Sequence, residues 1–195
     1  MAAPWVWVRP CLVQLDFVPQ FKAPVSIVVG DGGLSLQNEK GDGRQFDIIT
    51  IDAFTGDGIP THLLTRKAME VYLSRLAPDG LLLFHISNRY YDLRPLMKAM
   101  GEQLKLHGVM NRPSQQATLT IYNRSAICVA FSRNTEKLQP LIQRGWIPLG
   151  ANDGVGPAAP WTDDYINILS PLIARFKVWK NGRMLRGEPF LIQPV

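Results

Sequence analysis

Three short apolar runs, each followed at once by polar residues, constrain the fold of this chain more than any other feature. They are Val25–Val29, Phe46–Ile51 and Leu81–Ile86, and their branched and aromatic residues are almost continuous rather than alternating with polar ones. A continuous apolar run of this length is typical of a strand that is covered on both faces of a sheet. The sequence therefore predicts a mainly parallel internal sheet.

Helical patterns separate these runs. The segment 61–76 places Leu64, Ala68, Tyr72 and Leu76 four residues apart, so they share one helix face. Pro78-Asp79-Gly80 is expected to stop this helix before the third strand.

A second helix is expected to begin at Asp92, whose side chain can cap it, and to end at Gly108. Pro95 is tolerated in its first turn, where backbone N–H groups have no helical partner. Its apolar positions are Leu93, Met97, Met100 and Leu104. Strands that alternate with helices at this rhythm predict an α/β layer fold with helices on both faces of the sheet.

The later part of the chain predicts two more strands, over 117–122 and 126–131, which would close the sheet with an antiparallel edge. A short helix is expected over 135–144 and a loop over 150–160. A last helix is expected over 165–175.

The composition fits one globular domain, because 46% of the 195 residues are hydrophobic and 19% are charged. Cys11 and Cys128 stand far apart with no metal-ligand spacing, which favours a reducing compartment. No apolar run approaches the roughly 18–20 residues that a membrane-spanning helix needs. We therefore expect a cytoplasmic protein with no membrane partner.

The net charge of +5 comes almost entirely from the end of the chain. That segment holds five basic residues and one acid, namely Arg175, Lys177, Lys180, Arg183, Arg186 and Glu188. The body is nearly neutral and has no basic stripe, so we expect a solvated basic tail over 176–195 and no nucleic-acid partner.

Candidate functional residues follow the three predicted strands directly. Asp31, Asp52 and His85 each stand at or just after the end of one run. Because ligands of open parallel sheets bind beyond the carboxyl ends of the strands, these three side chains are expected to meet at one edge. The alternative is structural, since an Asp before Gly often forms a turn and a His at a strand end often only makes a hydrogen bond.

These strand ends, taken together with their flanking sequence, resemble the spermidine/spermine synthase superfamily. The residues that carry the likeness are Gly30-Asp31-Gly32, the string from Phe46 to Asp52, and Leu76-Ala-Pro-Asp-Gly-Leu-Leu-Leu-Phe84. The strings Ile51-Asp-Ala-Phe-Thr-Gly-Asp-Gly-Ile-Pro60, His85-Ile-Ser-Asn-Arg89 and Trp161-Thr-Asp-Asp164 are closer to the bacterial spermidine synthase-like branch. The resemblance covers about 25–172 and implies a Rossmann-like domain of the S-adenosylmethionine-dependent methyltransferase type.

The resemblance implies an aminopropyl transfer from decarboxylated S-adenosylmethionine to a polyamine, a small-molecule amine. The co-substrate is therefore expected to be decarboxylated S-adenosylmethionine or S-adenosylmethionine, with no tightly bound cofactor. Asp31 would hold the adenine amino group, with Gly30 and Gly32 keeping the backbone close to the base. Asp52 would accept a proton from the attacking amine, because an ammonium ion has no lone pair to donate.

The substrate side of the site departs from the family pattern. Family members place a second acid three residues after the first, whereas the next acid here, Asp57, follows Asp52 by five residues. His85 and Tyr122 would face the substrate. Asp163 and Asp164 either add acidic lining or cap the helix that follows, a position that the helix dipole favours.

The beginning of the chain shapes the expected organisation. The segment 1–24 is expected to be irregular, and it contains no glycine, so the Gly-rich turn that usually approaches the nucleoside has no counterpart before Val25. We therefore expect 25–175 to be the C-terminal half of the family's domain, with an exposed sheet edge that pairs with another copy or a completing chain. Two alternatives stay open: a non-catalytic α/β module that needs a partner, and an S-adenosylmethionine-dependent methyltransferase.

Overall fold

A computed structural model describes 32–38, 45–52, 58, 60–88, 90–111, 126–150 and 158–176 of the chain. Within these residues no helix has the length and apolar character needed to cross a bilayer. The predicted strands over 25–29 and 117–122 lie outside the described residues.

The described elements alternate between helix and strand. In chain order they are α1 (Gly32–Asn38), β1 (Phe46–Ile51), α2 (Arg66–Arg75), β2 (Leu76–His85), α3 (Arg94–Gln103), β3 (His107–Met110), β4 (Cys128–Ser132), α4 (Gln139–Gln143) and β5 (Ile147–Pro148). Short 3₁₀ turns precede α2 and α4, and a last helix, which we call α5, covers 169–176.

The strands form one five-stranded sheet in the order β1-β2-β4-β3-β5. β1 and β2 are parallel, whereas β4 is antiparallel to both β2 and β3, and β5 is antiparallel to β3. The expected α/β class with an added antiparallel part is confirmed. Among the described strands, however, the antiparallel strand β4 lies between β2 and β3 instead of closing the edge.

Helices cover both faces of the sheet. On one face, α1, α2 and α3 pack over the larger core, which includes Leu36, Tyr72, Met97, Phe84 and Phe131. On the other face, Leu138 packs against Val109 and Ala130, with half-buried residues of α4 around them. Ile48 of β1 remains 57% exposed. Among the described residues, the layer formed by Leu138 and α4 therefore covers β3 and β4 but not β1.

Two helix boundaries differ from the sequence prediction. The helix expected over 61–76 is broken into a 3₁₀ turn and α2, because Thr65 adopts an extended conformation and caps α2 by accepting from the Ala68 N–H at 3.3 Å. β2 begins directly at Leu76, so Pro78-Asp79-Gly80 lies inside an irregular stretch of β2 rather than ending a helix. Leu64, Tyr72 and Leu76 are buried as expected, but they do not share one helix face, because only Tyr72 of the three lies in α2.

The predicted end of the second helix at Gly108 is wrong. α3 ends at Gln103, and Lys105 takes the positive φ of 54° that usually marks a glycine after a helix. Gly108 instead lies in β3, where its missing side chain admits the ring of Phe131. Because no glycine stands at the true end of α3, the sequence pattern extended the helix to Gly108. The expected helix therefore overlapped β3, and this strand was not predicted.

Candidate functional site

The carboxyl ends of β1 and β2 bring two of the predicted residues together. Ile51 and Phe84 are register partners in this parallel pair, so Asp52 and His85, one residue further on, are neighbours on the same side of the sheet. Their predicted convergence is therefore observed for these two strands.

Asp52 and His85 form a direct contact, in which the Oδ1 of Asp52 lies 2.8 Å from the Nδ1 of His85. The Asp52 side chain is 63% exposed and the His85 side chain 31% exposed, so both can be reached from solvent. An ionised carboxylate can only accept a hydrogen bond, so in that state the Nδ1 of His85 carries the proton. In the neutral ring this leaves Nε2 as a proton acceptor.

A third chemically active group stands on the next strand. Cys128 of β4 is the register partner of His85. Burial, followed by the negative charge of Asp52, raises the pKa of the Cys128 thiol above its ordinary value of 9.0. The thiol is therefore protonated at neutral pH, which argues against a nucleophilic role. The described residues include no group of three or more His, Cys, Asp or Glu side chains that could hold a metal ion.

The backbone around this edge is fixed by polar side chains. The hydroxyl of Ser87 accepts from the Ile127 N–H at 2.6 Å, and the side chain of Asn111 bonds both Ala126 and Cys128. The Ser87 contact extends the β2–β4 pairing past His85, and the Asn111 contacts extend the β3–β4 pairing past Met110.

The segment that follows Pro160 returns to the start of α2. Trp161 is 1% exposed, and its carbonyl accepts from the Arg66 N–H at 2.8 Å. Asp163 lies 3.5 Å from the Nζ of Lys67, and Asp164 is exposed. Neither acid caps α5, because the side chain of Asn167 accepts from the Ser170 N–H at 3.1 Å and supplies that cap.

A cavity of about 180 Å³ adjoins the same edge. Ile86, Ile127 and Arg175 contribute to its lining, together with Asp92 and Arg94. Asp92, 5% exposed, accepts from the Nε of Arg94 at 2.8 Å and from its Nη2 at 2.6 Å. The two charges of this ion pair neutralise each other, which favours a structural role for the pair at the start of α3.

The remaining predicted site residues are placed as follows. Gly32 is the first residue of α1, with open space where a Cβ would stand. Gly30, Asp31, Asp57 and Tyr122 lie outside the described residues. Sequence reasoning missed Cys128 as a neighbour of His85, because the pairing of β4 with β2 was not predicted.

Comparisons with known proteins give likeness of structure only. No family model and no curated protein sequence matches the chain. A crystal structure of MnmC2 from Aquifex aeolicus is similar over 85% of this chain and 50% of its own, with 16% identity and a TM-score of 0.45. The human methyltransferase-like protein 13 in complex with SAH is similar over 73% of this chain and 64% of its own, with 17% identity and a TM-score of 0.37. The chain thus spans half to two thirds of these proteins, and at these scores the likeness assigns no activity to it.

Proposed function

We propose that this chain transfers an alkyl group from a sulfonium nucleoside to an amine nitrogen, and that Asp52 and His85 together receive the proton that the nitrogen gives up. The observation that carries the proposal is their 2.8 Å contact at the carboxyl edge of the parallel pair β1–β2. Ligands of open α/β sheets bind beyond this edge. The resemblance to spermidine synthases favours decarboxylated S-adenosylmethionine as donor and a polyamine as acceptor.

The chemistry needs a group that takes up a proton. The lone pair of the neutral amine attacks the carbon next to the sulfonium, and a new C–N bond forms. The C–S bond breaks at the same time, its electron pair stays on sulfur, and the nucleoside leaves as a neutral thioether. The nitrogen then carries an extra proton, which passes to the Nε2 of His85 or to Asp52. A carboxylate beside the imidazole stabilises the imidazolium that forms and also attracts the cationic donor.

The other roles follow the resemblance. Asp31 would bind the adenine, with Gly30 and Gly32 close to its ring. Asp57, Tyr122, Asp163 and Asp164 would line the acceptor side of the site.

Methyl transfer from S-adenosylmethionine is the second candidate, and one contact favours it. Lys67 lies 3.5 Å from Asp163, so a cation of the chain itself already shares the charge of that acid. A polyamine needs an uncompensated acidic lining, whereas a methyl acceptor does not. SAH, which the human methyltransferase-like protein holds, supplies a further ligand for testing.

Calorimetry on the full chain, with folding checked by circular dichroism, tests the donor site. The titrants are S-adenosylmethionine, its decarboxylated form, methylthioadenosine and SAH, and we expect heat with at least one of them. Mass spectrometry of an incubated diamine then distinguishes an added aminopropyl group from an added methyl group. If the folded protein binds none of the four, the enzymatic proposal fails and the non-catalytic module takes its place.

Substitution of the pair tests the chemistry. We expect Asp52→Asn and His85→Gln each to lower kcat by about 10²–10⁴-fold while nucleoside affinity stays nearly unchanged. The double variant should be little worse than either single one, because the two residues act as a unit. Asp47→Asn, an exposed acid of the same strand, is the matched control. Equal losses of affinity and turnover would instead place the pair in donor binding.

A further inference from the structure

The chain beyond His85 is joined to β4 by a serine hydroxyl, at a point where a regular ladder uses a backbone carbonyl. His85 and Cys128 are register partners at the end of the β2–β4 pair, so Ile86 and Ile127 stand opposite each other next. Residues of a hydrogen-bonded antiparallel pair exchange two N–H···O bonds. The Ile86 N–H donates to the Ile127 carbonyl at 2.8 Å, but the Ile127 N–H donates to the Ser87 hydroxyl at 2.6 Å. The Ser87 side chain therefore supplies one of the two bonds of this pair.

The chain turns away from the sheet directly after Ser87. The Oδ1 of Asn88 accepts from the N–H groups of Tyr90 and Tyr91, at 2.9 and 3.1 Å, and so builds a turn that leads towards α3. Without the Ser87 hydroxyl, the Ile127 N–H would lose its bond to β2, and the end of β2 would separate from β4 more readily. His85 is the next residue inside that end.

The start of β4 is also held from its other side. The Oδ1 of Asn111 accepts from the Cys128 N–H at 2.7 Å, and its Nδ2 donates to the Ala126 carbonyl at 2.6 Å. Because these two bonds keep β4 in place against β3, loss of the Ser87 bond moves the end of β2 rather than the start of β4. The residue that such a movement displaces is His85.

We propose that Ser87 is a positioning residue for His85, because its hydroxyl keeps the Nδ1 of His85 within hydrogen-bond distance of Asp52. The Asp52 side chain stands past the end of β1 and is 63% exposed, whereas the His85 side chain is 31% exposed. The backbone of β2 therefore does more than that of β1 to fix the 2.8 Å contact. The part that Ser87 plays in catalysis rests on the proposed function, but its effect on the His85 ring does not.

Four variants of the full chain separate the hydroxyl from the rest of the side chain. Ser87→Ala removes the acceptor, whereas Ser87→Thr keeps a hydroxyl and should restore the behaviour of the unchanged chain. Ser87→Cys keeps the size of the side chain and offers only a weak acceptor, so it replaces Ser87→Ala if that variant does not fold. Ser74→Ala is the matched control, because the Ser74 hydroxyl also bonds a backbone group, the Val71 carbonyl at 2.7 Å, but does so on α2.

Nitrogen NMR of the histidine rings, at alkaline pH where the rings are neutral, measures which ring nitrogen of His85 carries the proton. The chain has three histidines, and the signals lost in His85→Gln are those of His85. We expect the proton on Nδ1 in the unchanged chain, in Ser87→Thr and in Ser74→Ala, and a clear loss of this tautomer in Ser87→Ala. Hydrogen exchange of the Ile127 amide should become faster in Ser87→Ala alone among these variants.

Kinetics then connect the ring to the reaction. Ser87→Ala should lower kcat by about 10–10²-fold with KM nearly unchanged, since a small misplacement of the base slows the chemical step without weakening binding. If the unchanged chain transfers no group, the proposed function fails, and the tautomer alone decides the role of Ser87. The positioning role is overturned if His85 keeps its tautomer in Ser87→Ala while the Ile127 amide exchanges faster, because the hydroxyl is then merely structural. It is equally overturned if Ser87→Thr loses the tautomer as Ser87→Ala does, or if neither the tautomer nor the exchange changes.

Discussion

Gly101→Ala offers a quantitative test of how α3 packs on the sheet. A Cβ built on Gly101 would lie 2.7 Å from the Cε1 of Phe131, closer than carbon atoms tolerate. The ring has little room to turn, because Phe131 is 1% exposed and packs edge-on against Phe84 with centroids 6.2 Å apart. The added methyl group therefore overpacks the core.

Two opposing effects decide whether Gly101→Ala raises or lowers the free energy of unfolding. In a helix interior, alanine is favoured over glycine by about 0.8–1.0 kcal/mol. Overpacking a well-packed core costs about 1–3 kcal/mol, so Gly101→Ala should lower the free energy of unfolding by about 1 kcal/mol. In a Phe131→Leu background the clashing ring atom is gone, and the same change should raise it by about 0.8–1.0 kcal/mol.

Urea denaturation of the unchanged chain, Gly101→Ala, Phe131→Leu and the double variant measures this cycle. The effect of Gly101→Ala on the free energy of unfolding should differ by about 2 kcal/mol between the two backgrounds. An equal gain in stability from Gly101→Ala in both backgrounds would refute the reasoning, since it would mean that the ring yields freely. Gly108→Ala tests the same ring from β3, because its Cβ would lie 2.8 Å from the same atom of Phe131. This variant should also lower the free energy of unfolding.

Two further predictions concern charged and titrating groups. Burial and then the charge of Asp52 raise the pKa of Cys128 above 9.0. Asp52→Asn should therefore lower the pH at which Cys128 is half-alkylated, which peptide mapping of the alkylated protein measures. Asp47→Asn should not change this pH. Because the folded state holds this proton longer than the unfolded state, the free energy of unfolding should fall as pH rises above 9.0, and Cys128→Ala should remove that part of the slope. Asp92→Asn should cost about 3 kcal/mol in urea denaturation, since it removes the buried carboxylate that accepts from Arg94 at 2.8 and 2.6 Å. Asp79→Asn, which breaks an exposed contact with Lys137, should cost at most about 0.5 kcal/mol; equal losses from the two variants would contradict this.

The sequence predicted elements well where an apolar pattern alone decides the structure. The run Phe46–Ile51 is a strand with the predicted boundaries, and 135–144 forms the predicted short helical segment, as a 3₁₀ turn followed by α4. Prediction failed where tertiary contacts decide. β3 has only four residues, including a histidine and a glycine, and it is a strand because β4 pairs with it along its whole length.

The candidate site shows the same division. The ends of β1 and β2 follow from two apolar runs, so the meeting of Asp52 and His85 could be predicted from the sequence. The proximity of Cys128 could not, because it depends on which strand β4 joins. The start of α5 was also placed too early, since Asn167 rather than Asp163 or Asp164 caps it.

The position of β4 between β2 and β3 has a consequence for biosynthesis. The ribosome releases β2 and β3 before β4, so the middle of the sheet is the last part of β1–β4 to emerge. Until Cys128–Ser132 leaves the exit tunnel, β2 has a bare edge beside Leu82, a residue that is 0% exposed in the finished fold. A nascent chain stalled at this stage would present the unpaired edge of β2 to chaperones. Release of the five residues of β4 would then pair this edge and join β2 to β3.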